Sequence, residues 1–461
     1  AAGALANLLS GHGENCRKAV YRARAIPRLI SLLDVSSEGA ACSLLAAENG
    51  AAALANTVAT TGPVAAQTAF DAGLLEVISR LLDSPVRPAQ VFGLLANLCW
   101  QLPETSEQIY QLTPIQRVVE VLKPSDQQPP RARQAALALA ANLAALGPAK
   151  ARLIRAGLLK PTVTIIESST DQALRDQGAV ALANLLEDSP DSVAKAFLEI
   201  PELPRRLAFL LNNKKAVLET STRRHLLRAI ALLASREASR VSVKESGAPE
   251  ALLNLVDTRS LAKEASMGLL NLAPVAKDRD KLLKKGVLPK LVTLLGVEQA
   301  KVWAAGAIAN LTAGSKNAAA EAARLGALSL LAAQLKEACD ARAAVEGEVS
   351  FEVQGSADTD APVWILGAIA HIVDLVDTPG ARRDAGPAVP VMCQLAAAGE
   401  GSVKELAIFA LGAMAKSPDL LKPGLNVAGA REAVAQACAQ ISSEQLRERA
   451  QLVQRCCATV R

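Results

Sequence analysis

The sequence predicts an all-α solenoid of about ten repeats, and three observations predict it. The triplet Ala-Asn-Leu returns at Ala6-Asn7-Leu8, Ala96-Asn97-Leu98, Ala141-Asn142-Leu143, Ala183-Asn184-Leu185 and Ala309-Asn310-Leu311, with Ala55-Asn56 and Leu270-Asn271-Leu272 as near copies, roughly 40 residues apart. Between these marks runs a second phrase, a small-residue turn followed by an apolar helix: RAIPRLISLLD, AGLLEVISRLLD, AGLLKPTVTIIE, SGAPEALLNLVD, KGVLPKLVTLLG and LGALSLLAAQLK. Finally, 51% of the residues are hydrophobic while only 2% are aromatic. The excess is Ala and Leu, which favour helix and let helix axes approach closely.

Taken in order, residues 1–9 read as the closing helix of a truncated repeat, so a segment is expected to precede Ala1. Complete units then run over approximately 14–60, 63–102, 105–147, 148–188, 190–236, 239–275, 277–314, 315–376, 377–416 and 417–461, one array across 1–461. Each holds a short first helix, a second helix after the Gly or Pro turn, and a longer third helix ending near the Asn. Gly62-Pro63, Gly147-Pro148, Ser189-Pro190 and Ser417-Pro418 punctuate the boundaries, because proline suits a first helical turn and stops the helix before it. Two units are stretched. An excess at 36–49 reads as an added helical turn, and an acidic, glycine-containing insertion at 338–360 reads as a loop in which 349–353 alternates like a strand. The charged phrase SSEQLRERAQLVQR closes 417–461 as a capping repeat should.

The order Gly-Ala-(Ile/Leu)-Pro-x-Leu-(Val/Ile)-x-Leu-Leu, then Ala-x-x-Ala-Leu-x-Asn-Leu, resembles the armadillo repeat along essentially the whole chain. A HEAT array shares the helical hairpins but neither that turn nor the Asn. The resemblance implies three-helix units stacked into a right-handed α-α superhelix. Its third helices would line a concave groove, with the Asn carboxamide binding the backbone of an extended ligand, since Asn offers both a donor and an acceptor. Seven of ten Asn slots keep Asn; the others are Leu232, His371 and Met414. An Asn that only ties a helix end to the following loop is the structural alternative.

Helical spacing puts positions seven and four before the Asn, and three after it, on the same face. All three tryptophans fall there: Trp303 and Trp364 seven before Asn310 and His371, and Trp100 three after Asn97. They are candidate recognition anchors, because Trp is enriched at binding hot spots. Nuclear-import members of the family place Trp four before the Asn. Here those slots hold Gly3, Ala52, Gly93, Ala138, Val180, Arg228, Met267, Gly306, Gly367 and Ala410, so import-receptor function is not expected. The wide row suggests that Trp303 and Trp364 stand beside Gly306 and Gly367 as slots for an apolar side chain. In the fifth repeat the stripe turns basic with Arg224, His225 and Arg228, suited to a carboxylate or phosphate. The predicted groove therefore comprises Asn97, Trp100, Asn142, Asn184, Arg224, His225, Arg228, Asn271, Trp303, Asn310, Trp364 and His371. The run Lys277, Arg279, Lys281, Lys284 and Lys285 falls on a first helix and reads as a solubilising edge.

The same residues argue against chemistry. The three histidines His12, His225 and His371 form no His-x-x-x-His pair, the eight cysteines show no Cys-x-x-Cys spacing, and no nucleophile elbow or phosphate loop occurs. No cofactor, metal or catalytic activity is expected. Net charge of +5 and the scarcity of aromatics give no footprint for nucleic acid. No stretch of 18 apolar residues suggests a membrane span. The cysteines read as buried, reduced thiols, so an intracellular chain is expected, with the cytoplasm, including its cytoskeleton or a cilium, as the expected compartment. The expected function is a non-enzymatic scaffold that grips an extended or helical segment of a protein partner. The alternatives are a structural part of a large multi-protein cytoskeletal assembly such as a ciliary axoneme, and the substrate receptor of a ubiquitin ligase whose catalytic domain precedes this chain.

Overall fold

A computed structural model describes residues 24–33, 40–82, 88–123, 129–187, 190–213, 217–274, 276–346, 361–441 and 443–459, together with Gly3. Asn7, His12, Cys16 and the segment 347–360, with its expected strand, lie outside the described residues. Every regular element among the described residues is a helix, and the protein is an all-α helical-repeat solenoid. Where the sequence suggests one array, the chain divides into two compact units, Ala1–Ser242 and Val243–Arg461.

The N-terminal unit contains α1 (Ala25–Ser31), α2 (Ala40–Thr61), α3 (Pro63–Asp71), α4 (Leu74–Leu82), α5 (Pro88–Gln101), α6 (Ser106–Leu112), α7 (Ile115–Leu122), α8 (Pro130–Leu143), α9 (Gly147–Arg155), α10 (Leu159–Ser168), α11 (Gln172–Leu186), α12 (Pro190–Glu199), α13 (Leu203–Asn212) and α14 (Thr220–Ala234). After α15 (Glu237–Glu245), the C-terminal unit holds α16 (Ala248–Leu255), α17 (Ala262–Leu272), α18 (Ala276–Lys284), α19 (Val287–Leu294), α20 (Lys301–Thr312), α21 (Lys316–Arg324), α22 (Ala327–Glu346), α23 (Ala361–Val376), α24 (Pro379–Ala385), α25 (Val389–Ala398), α26 (Gly401–Met414), α27 (Lys422–Leu425), α28 (Ala430–Ala439) and α29 (Glu444–Thr459).

The punctuation works as its chemistry requires. Pro63, Pro130, Pro190 and Pro379 open helices, where the missing N–H costs nothing. Asp171 caps α11 by accepting from the Ala173 and Leu174 amides at 2.9 and 3.2 Å. The glycine before the second helix takes a left-handed conformation, φ 83° at Gly247 and 71° at Gly286. In the first copy Arg24 occupies that place with φ 50°. Of the stretch at 36–49 read as an extra turn, residues 40–49 belong to the 22-residue helix α2, and 36–39 lie outside the described residues. The insertion differs from expectation: α22 runs on to Glu346, so helix continues well into the segment read as a loop at 338–360. Its sequence carries no Gly or Pro between Gly326 and Gly347, so nothing local stops the helix.

Within each unit the third helices pack one on the next, α2, α5, α8, α11 and α14 in the first and α17, α20, α23, α26 and α29 in the second. Alanines such as Ala136, Ala140 and Ala141 on α8 are fully buried at these contacts. One stripe stays half open on most of the third helices, whereas on α26 its Ala407, Ala410 and Met414 are buried. On α8 it is Ala135, Ala138 and Asn142, and on α11 it is Gln177, Val180, Asn184 and Glu187. These are the positions seven before, four before, at and three after the Asn.

Candidate functional site

The Asn side chains on this stripe have a common bond. Asn97 Nδ2 donates to the Ala55 carbonyl at 2.9 Å, Asn142 to Ala96 at 2.7 Å, Asn184 to Ala141 at 3.1 Å and Asn310 to Leu270 at 3.2 Å. Each acceptor immediately precedes the Asn slot of the previous repeat. The carboxamide thus joins neighbouring third helices, a role neither of the two sequence-based readings described. Two acceptors need it most. Ala141 lies in the last turn of α8, where the Ala145 amide bonds to Asn142 instead, and the residue four after Leu270 is Pro274, which has no N–H. Because the nitrogen faces a carbonyl, the Oδ1 of each of these four Asn residues is left with no partner among the described residues. Asn271 is half-buried at the end of α17.

His371 substitutes for Asn in this pattern. Its Nδ1 lies 3.0 Å from the Ala309 carbonyl, again the residue before the previous slot. A carbonyl can only accept, so Nδ1 carries the proton and Nε2 presents a lone pair. Burial lowers the His371 pKa and outweighs the raising effects of the Ala309 bond and Asp374, with Arg279 also lowering it, so the neutral ring is favoured.

In the C-terminal unit the aromatic anchors meet. The rings of Trp303 on α20 and Trp364 on α23 have centroids 5.2 Å apart at an interplanar angle of 47°, and both are half-exposed. A Cβ added to Gly306 would lie 3.0 Å from Trp364 Cδ2 and 3.1 Å from its Cε3. The slot expected beside Gly306 is therefore filled by Trp364 itself, while Gly367 meets only the Ala309 Cβ, at 3.7 Å. Three residues after His371, Asp374 accepts from Arg449 at 2.6 Å, and that guanidinium stacks 4.0 Å from the Phe409 ring centroid. Asp374 shares the stripe at an offset already singled out, so it could have been found in the sequence. Arg449, from the capping helix, could not.

In the N-terminal unit Trp100 stands 75% exposed at the end of α5. On α14, Arg224 is exposed and His225 and Arg228 are half-buried. Arg228 is not waiting for a foreign carboxylate: its guanidinium pairs with Glu187, three after Asn184. The Glu187 backbone carbonyl also accepts from the buried Lys150. His225 Nδ1 is buried without a hydrogen-bond partner among the described residues, and burial lowers its pKa against the pull of Asp176.

Among the described residues no group of three or more His, Cys, Asp or Glu could hold a metal ion, and no helix is long and apolar enough to cross a membrane. Cys99, Cys339, Cys393, Cys438, Cys456 and Cys457 are free and buried. Burial pushes the Cys393 and Cys438 thiols up to about 12, so thiolate reactivity is suppressed.

The stacked helix triplets define the class, a helical-repeat solenoid, and solved structures share it. An engineered protein superposes with a TM-score of 0.68 at 22% identity, covering 95% of this chain and 99% of its own. A chain from a structure concerning the interaction between cadherin and beta-catenin, and the phosphorylation switch that controls it, gives a TM-score of 0.69 at 14% identity, covering 99% of this chain and 87% of its own. At such identities the likeness is one of fold. No family model matches the sequence, and no curated protein matches it.

Proposed function

We propose that the repeat is of the armadillo type and that the third-helix face of the C-terminal unit is a non-enzymatic binding surface for a segment of a protein partner. The observation that carries this is the half-exposed Trp303–Trp364 pair, flanked by Asn310 and His371. Half-exposed indoles in contact, held against a helix backbone at Gly306, form a rigid apolar anchor that loses little entropy on binding. Beside them, Asn310 Oδ1 and His371 Nε2 are acceptors suited to backbone N–H groups of a ligand. Neighbouring third helices pack about 8–10 Å apart, a distance an extended strand covers in about three residues, so successive acceptors can meet N–H groups of one chain. Trp100, Asn97, Asn142 and Asn184 offer the same chemistry in the N-terminal unit.

Selection of a displayed peptide library on the full chain tests this. Selected peptides should lose at least about 2 kcal/mol of affinity to Trp303→Ala or Trp364→Ala, as hot-spot truncations do. Peptides that bind wild type and both folded variants equally would rule out the tryptophan face.

A further inference from the structure

A recess in the C-terminal unit lies away from the Asn stripe. It is a cavity of about 170 Å³ between the helices that open the sixth and seventh repeats, lined by Lys244 of α15, Pro249 and Glu250 of α16, Leu272 at the end of α17, Lys281 and Leu282 of α18, and Lys285. Lys281 and Lys285 belong to the basic run expected at a solubilising edge. The fold turns them toward a third lysine contributed by the preceding repeat. Three lysines from two repeats thus line one small space, and Glu250, the carboxylate among the lining residues, pairs with Lys285. The Lys281 side chain has neither a hydrogen bond nor an ion pair among the described residues.

We propose that this cavity binds a phosphate monoester. Like charges converging on a recess repel one another, and an anion seated among them removes that repulsion. The choice of anion follows from the donors. Lysine ammonium groups are compact point charges that approach from separate directions, which suits the three terminal oxygens of a phosphoryl group. A carboxylate is better matched by the planar fork of arginine, and the lining contains none. Leu272 and Leu282, both buried, and Pro249 supply an apolar wall for the carbon that carries the phosphate. The recess admits a single projecting group, which favours a phosphorylated side chain or a small phosphate ester over a flat anionic surface.

Calorimetric titration of the full chain at constant ionic strength provides the test, using inorganic phosphate, O-phosphoserine, a serine peptide and the same peptide phosphorylated. Saturable binding is expected for the three phosphate-bearing probes and none for the unmodified peptide. It should weaken about fivefold or more in Lys281→Gln, as loss of a charge-assisted hydrogen bond implies, and further in Lys244→Gln/Lys281→Gln. Tighter binding of the phosphopeptide than of O-phosphoserine identifies a protein as the source, and equal binding identifies a small ester. Heats indistinguishable from those of sodium chloride, or an unchanged isotherm in Lys281→Gln with an intact circular dichroism spectrum, would overturn the proposal. Because Lys281 is exposed, its neutralisation leaves the core intact.

Discussion

A single amide nitrogen separates the Asn residues by their structural importance. Asn184 and Asn310 donate to carbonyls that no helical N–H reaches, those of Ala141 and Leu270. Asn97 donates to Ala55, within the body of α2, whose carbonyl lies in reach of the amide four residues on. Loss of a partner from an otherwise unpaired buried carbonyl costs about 1–3 kcal/mol, and loss of a supplementary bond about 0.5–1.5 kcal/mol. Asn184→Ala and Asn310→Ala should therefore lower stability more than Asn97→Ala in chemical denaturation, and three equal losses would refute this ranking. His371 adds a pH dependence. Its folded pKa lies below the unfolded value of about 6.5, so the unfolded chain takes up the proton first as pH falls. Its contribution is complete above about 6.5 and is lost as pH drops through the lower folded value, with His225 acting in the same sense. His371→Asn keeps the donor but does not titrate, so its urea midpoint should fall less than that of wild type between about pH 7.5 and pH 5.5. Parallel declines would show that the imidazole is not responsible.

At the scale of elements, what could be read in advance was whatever the repeats restate. The open stripe on most third helices follows from a 3.6-residue period written several times over, and the turn before the second helix follows from its glycine. Contacts between repeats were less legible. The approach of Trp364 to Gly306 and the pairing of Arg228 with Glu187 join residues 58 and 41 positions apart, and depend on how neighbouring helices are seated. Local periodicity does not specify that seating. The same holds for Gly412, where a Cβ would lie 2.5 Å from Arg449 Cβ: its lack of a side chain admits α29, a requirement invisible in α26 alone. The course of α22 past 338 was legible and was outweighed by composition. Acidic residues suggested a loop, yet the absence of a helix breaker before Gly347 is the stronger local signal.

For the whole molecule, the two compact units bear on how the protein unfolds. Arrays with mainly nearest-neighbour contacts need not melt as one. Trp303 and Trp364 lie in the C-terminal unit, and Trp100 is the sole tryptophan of the other. In Trp100→Phe, fluorescence therefore reports the C-terminal unit while far-ultraviolet circular dichroism reports every helix. The two denaturation midpoints should differ, and coincident curves would make the chain a single cooperative body. The carboxamide contacts also have a direction. In all four Asn pairs and in the His371 pair, the donor belongs to the later repeat and the acceptor to the earlier. During translation the acceptor therefore leaves the ribosome first, and each new third helix arrives at a carbonyl already on display. Within each unit the order of synthesis is then also the order of docking, and no repeat has to hold its donor open for a partner not yet made.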